Sequence, residues 1–341
     1  MKLHDRIPDI ENLYAVLQRE IPSRPTLFEL FLNEPLHETL TGQKKPDYND
    51  SLTYLKFRID AFVAAGYDYT TTNACGMTFN PVANVRKESI SLNENISIVD
   101  EASFEAFTWP DPESFDYSTL EKIKDYLPGN MKLMVMGPGG VLENVIELVG
   151  YDNLCYMLYE DTDLVHAIFD AVGSRLLKYY ELATSFESVG LIMVNDDWGF
   201  NTQTFLSPEQ MREYVIPWHK KIVAVAKAHQ LPTILHSCGN LQAVMDDVID
   251  EIGFNGKHSY EDTILPVEGF YEKWGERIAI IGGIDVDFLI RQDVSEIEAR
   301  CRAMLERTAT RGGWALGTGN SVPAYIPQEK YFAMIKTALG E

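Results

Sequence analysis

Eight times along this chain a short β-rich run ends in Gly, Asn, Asp or Pro and gives way to an amphipathic stretch. That alternation restricts the fold more than any other feature. The runs are Pro25 to Leu32, Tyr67 to Asn73, Met131 to Met136, Gly190 to Val194, Pro232 to His236, Phe254 to His258, Ile278 to Ile281 and Trp314 to Leu316. Most are too short for helices and rich in Ile, Val, Leu, Met and Thr, as parallel strands covered on both faces require. Between them, Asp50 to Ala65 carries Leu52, Leu55, Ile59 and Phe62 at helical spacing, and Ser207 to His229 opens with a Ser-Pro-Glu-Gln capping signal. Ser295 to Thr308 repeats the amphipathic pattern. Eight units predict an α/β fold, a single (β/α)8 TIM barrel, with a doubly wound open sheet as the competitor. An amino-terminal helical extension precedes the first run. Cys75 to Gly129, rich in Pro, Asp and Phe, is longer than a βα connection needs and reads as an excursion over one barrel mouth after the second run, of the kind that forms lids.

A length of 341 residues would also accommodate two domains, yet no linker, low-complexity tract or repeat divides the chain. With 29 basic and 51 acidic residues the net charge is −22, which would repel a phosphate backbone or an anionic membrane. Nucleic-acid and membrane partners are therefore not expected. The first residues carry scattered charges and no signal-peptide pattern, and no apolar stretch is long enough to span a bilayer. Four widely spaced cysteines, at 75, 155, 238 and 301, fit reduced thiols better than a disulfide scaffold. Together these features predict a cytoplasmic protein.

In a barrel the working groups project from the carboxyl ends of the strands, so the residues at and just beyond the end of each run matter most. Glu29 interrupts an apolar run and must face a cation, a metal or the lumen, whereas Glu34 lies beyond it and is read as solvated. Cys75 brings a soft donor near the mouth of the second run. Gly137-Pro138-Gly139-Gly140 offers free amides that could hold an anion, without the spacing of a P-loop or dinucleotide fingerprint. Asn195-Asp196-Asp197-Trp198 places two adjacent acids on extended backbone, which aims only one of them at the mouth; Asp196 is slightly favoured for that role and the other acid caps or pairs. The fifth run is the most informative: in His236-Ser237-Cys238, imidazole and thiol one residue apart can reach the same tetrahedral zinc ion, the bland reading being a hydrogen-bonded histidine above a packed cysteine. His258 and Asp285 are second-tier catalytic candidates, and Trp198, Phe200, Tyr260 and Tyr325 could line a pocket. His219 and His229 fall on a predicted surface helix and are read as structural.

With Asn195-Asp196-Asp197 before it, and Gly282-Gly283-Ile284-Asp285 and Gly317-Thr318-Gly319-Asn320-Ser321-Val322-Pro323 after it, the His236-Ser237-Cys238-Gly239-Asn240 segment resembles the uroporphyrinogen decarboxylase superfamily. The resemblance covers most of the chain, is strongest from about residue 190 onward, and implies one (β/α)8 domain over residues 1–341. It also implies one of two activities: cofactor-free decarboxylation of porphyrinogen acetate arms, or zinc-dependent methyl exchange with a corrinoid protein, cobalamin or coenzyme M. The decarboxylase branch's Arg-Gln-Ala-Gly-Arg-Tyr segment is absent around Arg24 to Glu29, so the methyltransferase branch is the nearer likeness. His236 and Cys238 match that branch's zinc pair, but its third ligand, a cysteine after strand eight, has no counterpart in Gly317-Thr318-Gly319-Asn320. Glu29 is the favoured replacement, with Asp196, Asp197 and Cys75 as alternatives.

The expected activity is a methyltransferase moving a methyl group between a small methylated substrate and a corrinoid carried by a separate protein, methyl-ether O-demethylation being one example. Zinc would act as the Lewis acid. The expected catalytic residues are Asp196, Asp197, His258 and Asp285, and the substrate-binding ones Glu29, Trp198, Tyr260, Asn320 and Ser321. The competing readings are a cofactor-free decarboxylase and an inactive binding subunit. A homodimer is compatible with the sequence.

Overall fold

The computed structural model describes residues 3–79, 92–93 and 96–340. Seven of the eight expected runs form strands: β1 (Tyr69–Asn73), β2 (Lys132–Met136), β3 (Val189–Asn195), β4 (Thr233–His236), β5 (Gly256–His258), β6 (Ala279–Ile281) and β7 (Trp314–Ala315). They pair in chain order, all parallel, in one curled sheet with helices in the connections. Sheet residues such as Leu133, Val135, Leu191, Ile192, Ile234 and Ile280 are wholly buried, which explains why the runs are apolar rather than alternating.

Pro25 to Leu32 differs from expectation, making only isolated parallel bridges, Leu27 to Leu316 and Leu32 to Val322. The reason is a side chain standing in the ladder. The Tyr69 hydroxyl accepts from the Glu29 amide at 2.7 Å and donates to the Glu29 carbonyl at 2.6 Å, taking the backbone groups that β1 would otherwise pair. The segment thus lies between β7 and the Tyr69 side chain of β1.

The Asp50–Ala65 prediction matches a helix at Ser51–Ala65 capped by Asp50, and Ser295–Thr308 matches Val294–Thr308. Ser207 to His229 is not one uninterrupted α-helix: a capping box at Ser207 leads through a π-helical turn, Met211–Val215, into Ile216–Ala228. Pro217, which has no amide to donate, stands just past the widened turn. Of the predicted excursion, 80–91 and 94–95 lie outside the described residues, and its remainder contains helices at Glu101–Ala106 and Ser118–Lys122. Among the described residues no helix is long and apolar enough to cross a membrane.

Candidate metal centre and adjoining cleft

Strand register brings the site together. Asn195 of β3 pairs with His236 of β4, which pairs with His258 of β5, so the loops leaving these strands start from one level. Asp197, His236 and Cys238 each offer one donor atom, and the three atoms lie within 4.8 Å of one another. Cys238 Sγ is 3.9 Å from His236 Nε2, and Asp197 Oδ1 is 3.9 Å from the same nitrogen. The Cys238 amide donates to Asp197 Oδ1 at 2.8 Å, orienting that carboxylate toward the thiol.

Burial governs the protonation of the two candidate donors on β4 and its loop. It lowers His236 to about 4, with Asp197 opposing and Lys257 adding to the shift, so the imidazole is neutral and its contact with Asp197 is no ion pair. The same burial, reinforced by Asp197, pushes the Cys238 thiol well above its ordinary range. The sulfur nevertheless receives two donors, the Ser259 hydroxyl at 3.3 Å and the Asn320 amide at 3.4 Å. Donors aimed at a sulfur beside a carboxylate suit a thiolate that a divalent cation stabilises.

Oxygen, nitrogen and sulfur, one of each, fit a three-ligand zinc site with an open fourth position. Zinc bonds of about 2.0 Å to nitrogen or oxygen and about 2.3 Å to sulfur imply tetrahedral edges of about 3.3–3.5 Å, so the two separations of 3.9 Å stand roughly 0.5 Å from such a geometry. Behind them, His236 Nδ1 meets His258 Nδ1 at 2.8 Å. Both rings are buried and neutral, because burial and the neighbouring His236 and Lys257 push His258 well down. A metal on Nε2 of His236 would leave Nδ1–H to donate to His258, so this contact is compatible with the ligating tautomer.

The structure separates the other predicted residues. Asp196, slightly favoured for the mouth, is turned away and wholly buried: its carboxylate accepts from the amides of Val141 and Leu142 at 3.1 Å and Glu143 at 2.9 Å, and from His219 Nε2 at 2.8 Å. The anion held by the glycine-rich loop is therefore this side chain, at the N-terminus of the helix Val141–Val149. A Cβ at Gly140 would come within 2.1 Å of it, so glycine is required there. His219 is buried, not on a surface face, and Trp198 is buried edge-on to it at 5.0 Å and away from the donor cluster.

Glu29 is also apart from the cluster. Its carboxyl accepts from the Thr318 amide at 2.8 Å and hydroxyl at 2.6 Å, and burial raises it to about 8 against those two bonds. Asp285 caps the helix Val286–Arg291 through Phe288 and accepts from the Asp262 amide. Cys75, half-buried, is absent from the donor group. Ser321 is buried near the strand ends, Phe200 and Tyr325 are exposed, and Glu34 pairs with Lys45 at the surface.

A small cleft opens beside Cys238, lined by Gly239 to Gln242, Lys257, Ser259 to Glu261, Ile264, Leu265 and Phe270. It contains Tyr260, one of the aromatics named as able to line a pocket, and Lys257, Ser259 and Glu261, none of which the sequence singled out as an individual site residue. The overlooked signal was a lysine inside a three-residue buried strand, where a charge needs a reason.

Comparison with known proteins places this geometry in a family. The fold resembles that of a methyltransferase from Methanosarcina mazei, with a TM-score of 0.72 over 98% of each chain at 16% identity. A uroporphyrinogen decarboxylase from Myxococcus xanthus (strain DK1622) is 24% identical over 161 residues, a stretch covering 46% of this chain and 42% of that protein. The family model for uroporphyrinogen decarboxylase (URO-D) matches residues 51–339, and the chain belongs to that family.

Proposed function

We propose that this chain is a single (β/α)8 barrel, closed through the extended segment at Pro25 to Leu32, and that it acts as a corrinoid-linked methyltransferase. The observation carrying the proposal is the convergence of Asp197, His236 and Cys238 at the carboxyl ends of β3 and β4, with Asp197 as third ligand where the notional strand-eight cysteine is absent. Zinc bound by these three residues would supply a Lewis acid to the heteroatom carrying the methyl group and so improve the leaving group.

The chain's own residues prepare that site. His258 holds His236 in the tautomer whose Nε2 is free to ligate. Ser259 and Asn320 donate to the Cys238 sulfur, and the Cys238 amide fixes Asp197. Asp285 anchors the Asp262 amide at the end of the loop that carries Ser259 and Tyr260. The methyl donor or acceptor opposite the substrate is a corrinoid brought by a separate protein.

Cobalt(II) substitution tests the donor set. A thiolate-to-cobalt absorption band in the wild type that disappears in Cys238→Ala, with methyl transfer from a small methyl ether to added cob(I)alamin, is the expected result. The competing decarboxylase reading is favoured by the name of the Myxococcus relative. Decarboxylation by metal-free protein, with no cobalt band, would replace the proposal with it.

A further inference from the structure

Lys257 brings a buried ammonium to the edge of the metal centre, where Cys238 and Asp197 favour its charge without a hydrogen bond to it. The residue is 2% exposed, lines the cleft beside Cys238, and makes no carboxylate ion pair among the described residues. Its ammonium donates to the Ser259 carbonyl and lies over the rings of Tyr260, at 4.4 Å, and Phe270, at 5.5 Å. An ammonium has three protons to donate, and one carbonyl accepts one of them. Burial lowers Lys257 to about 8, against the nearby charges of Cys238, Asp197 and Glu261, none of which makes a direct ion pair with it.

The surrounding geometry is built around this group. Ser259 sits at φ +82°, a left-handed conformation that a non-glycine residue holds only when its surroundings compel it. That conformation turns its carbonyl to Lys257 and its hydroxyl to Cys238 Sγ, so one residue ties the ammonium to the metal centre. Leu241, Ile264, Leu265 and Phe270 supply apolar walls. Glu261 also lines the cleft and favours the Lys257 charge from beyond ion-pair distance, so it competes with an incoming anion.

We infer that Lys257 is the anion-recognising residue of this cleft, and that the substrate is a small methylated acid whose carboxylate it binds while the methylated heteroatom faces Asp197, His236 and Cys238. The inference rests on the methyl-transfer reading for the identity of the reacting end, but not for the binding of the acid. An arriving carboxylate supplies the directly hydrogen-bonded anion that the ammonium lacks, in a buried setting where such a bond is stronger than one to a solvated surface lysine. A neutral analogue of the same shape leaves the ammonium unpaired and gains nothing from it.

Calorimetric titration of full-length protein tests this, using methoxyacetate, 3-(methylthio)propanoate and 3-methoxybenzoate, each beside its primary amide, with phenyl phosphate as a second anion. At least one acid is expected to bind about tenfold or more tightly than its amide, and Lys257→Met to remove that preference. Lys257→Arg should keep part of it, and Glu261→Gln should strengthen acid binding. Preference for phenyl phosphate over every carboxylate, equal binding of acid and amide, unchanged acid binding by folded Lys257→Met, or no binding by any acid would each overturn the inference. Zinc content measured on the same samples separates the two ideas: acid binding through Lys257 in metal-free protein sinks the methyl-transfer reading alone, and zinc-loaded protein indifferent to charge sinks this one alone.

Discussion

Asp196 and Asp197 are chemically identical neighbours with opposite surroundings. The first is wholly buried, with three backbone amides and an imidazole on its carboxylate. The second is half-buried, receives the Cys238 amide, and keeps capacity for a cation beside a nitrogen and a sulfur. Alternation along the backbone sends the two apart, and the supply of donors decides what each can do. A carboxylate whose lone pairs are filled is a structural anion; one left short of donors is available to a ligand or to water.

The largest effect that would break this contrast is on stability. Asp196→Ala strips the counter-charge from four buried donors and is expected to lower unfolding free energy by about 3–5 kcal/mol, read by urea denaturation. Asp197→Ala should stay within about 1 kcal/mol of the wild type, as expected for a partly exposed side chain. Equal losses in the two variants would erase the distinction.

Glu29 sharpens the same contrast, being as buried as Asp196 but served only by Thr318. Its folded pKa, about 8, lies above the ordinary 4.5, so between those values the folded chain binds more protons than the unfolded one. Stability contributed by this group is therefore full below pH 4.5 and lost as pH rises toward 8, by roughly 3–5 kcal/mol. Glu29→Gln should flatten that part of the stability-versus-pH curve, and an unchanged slope would show that other groups set it.

Metal binding provides the next two tests. Asp197→Ala should weaken zinc affinity by at least about a hundredfold, whereas His258→Ala, which removes only the partner of His236, should cost about ten- to a hundredfold. Competition with a chromophoric chelator measures both. An Asp197→Ala protein with undiminished affinity would show that this acid is no ligand.

Much of the architecture was legible because parallel strands covered on both faces are continuous apolar runs, and seven of the eight marked runs are strands. Pro25 to Leu32 was not, because the tyrosine that occupies its ladder is distant in sequence and invisible to local pattern. At the site, His236 and Cys238 could be paired from spacing alone. The choice between Asp196 and Asp197 could not, since it depends on where the loop Gly137 to Gly140 delivers the amides of Val141, Leu142 and Glu143. Lys257 did not stand out, because nothing in the sequence shows that a charged residue at a strand end is buried.

Elemental analysis of protein purified without added metal tests the central claim most directly, with the single-site variants measured alongside. About one zinc per chain in the wild type, retained by Glu29→Gln and lost from folded Asp197→Ala and Cys238→Ala, is the predicted result. A wild type free of metal, or an Asp197→Ala protein with its full complement, would contradict it.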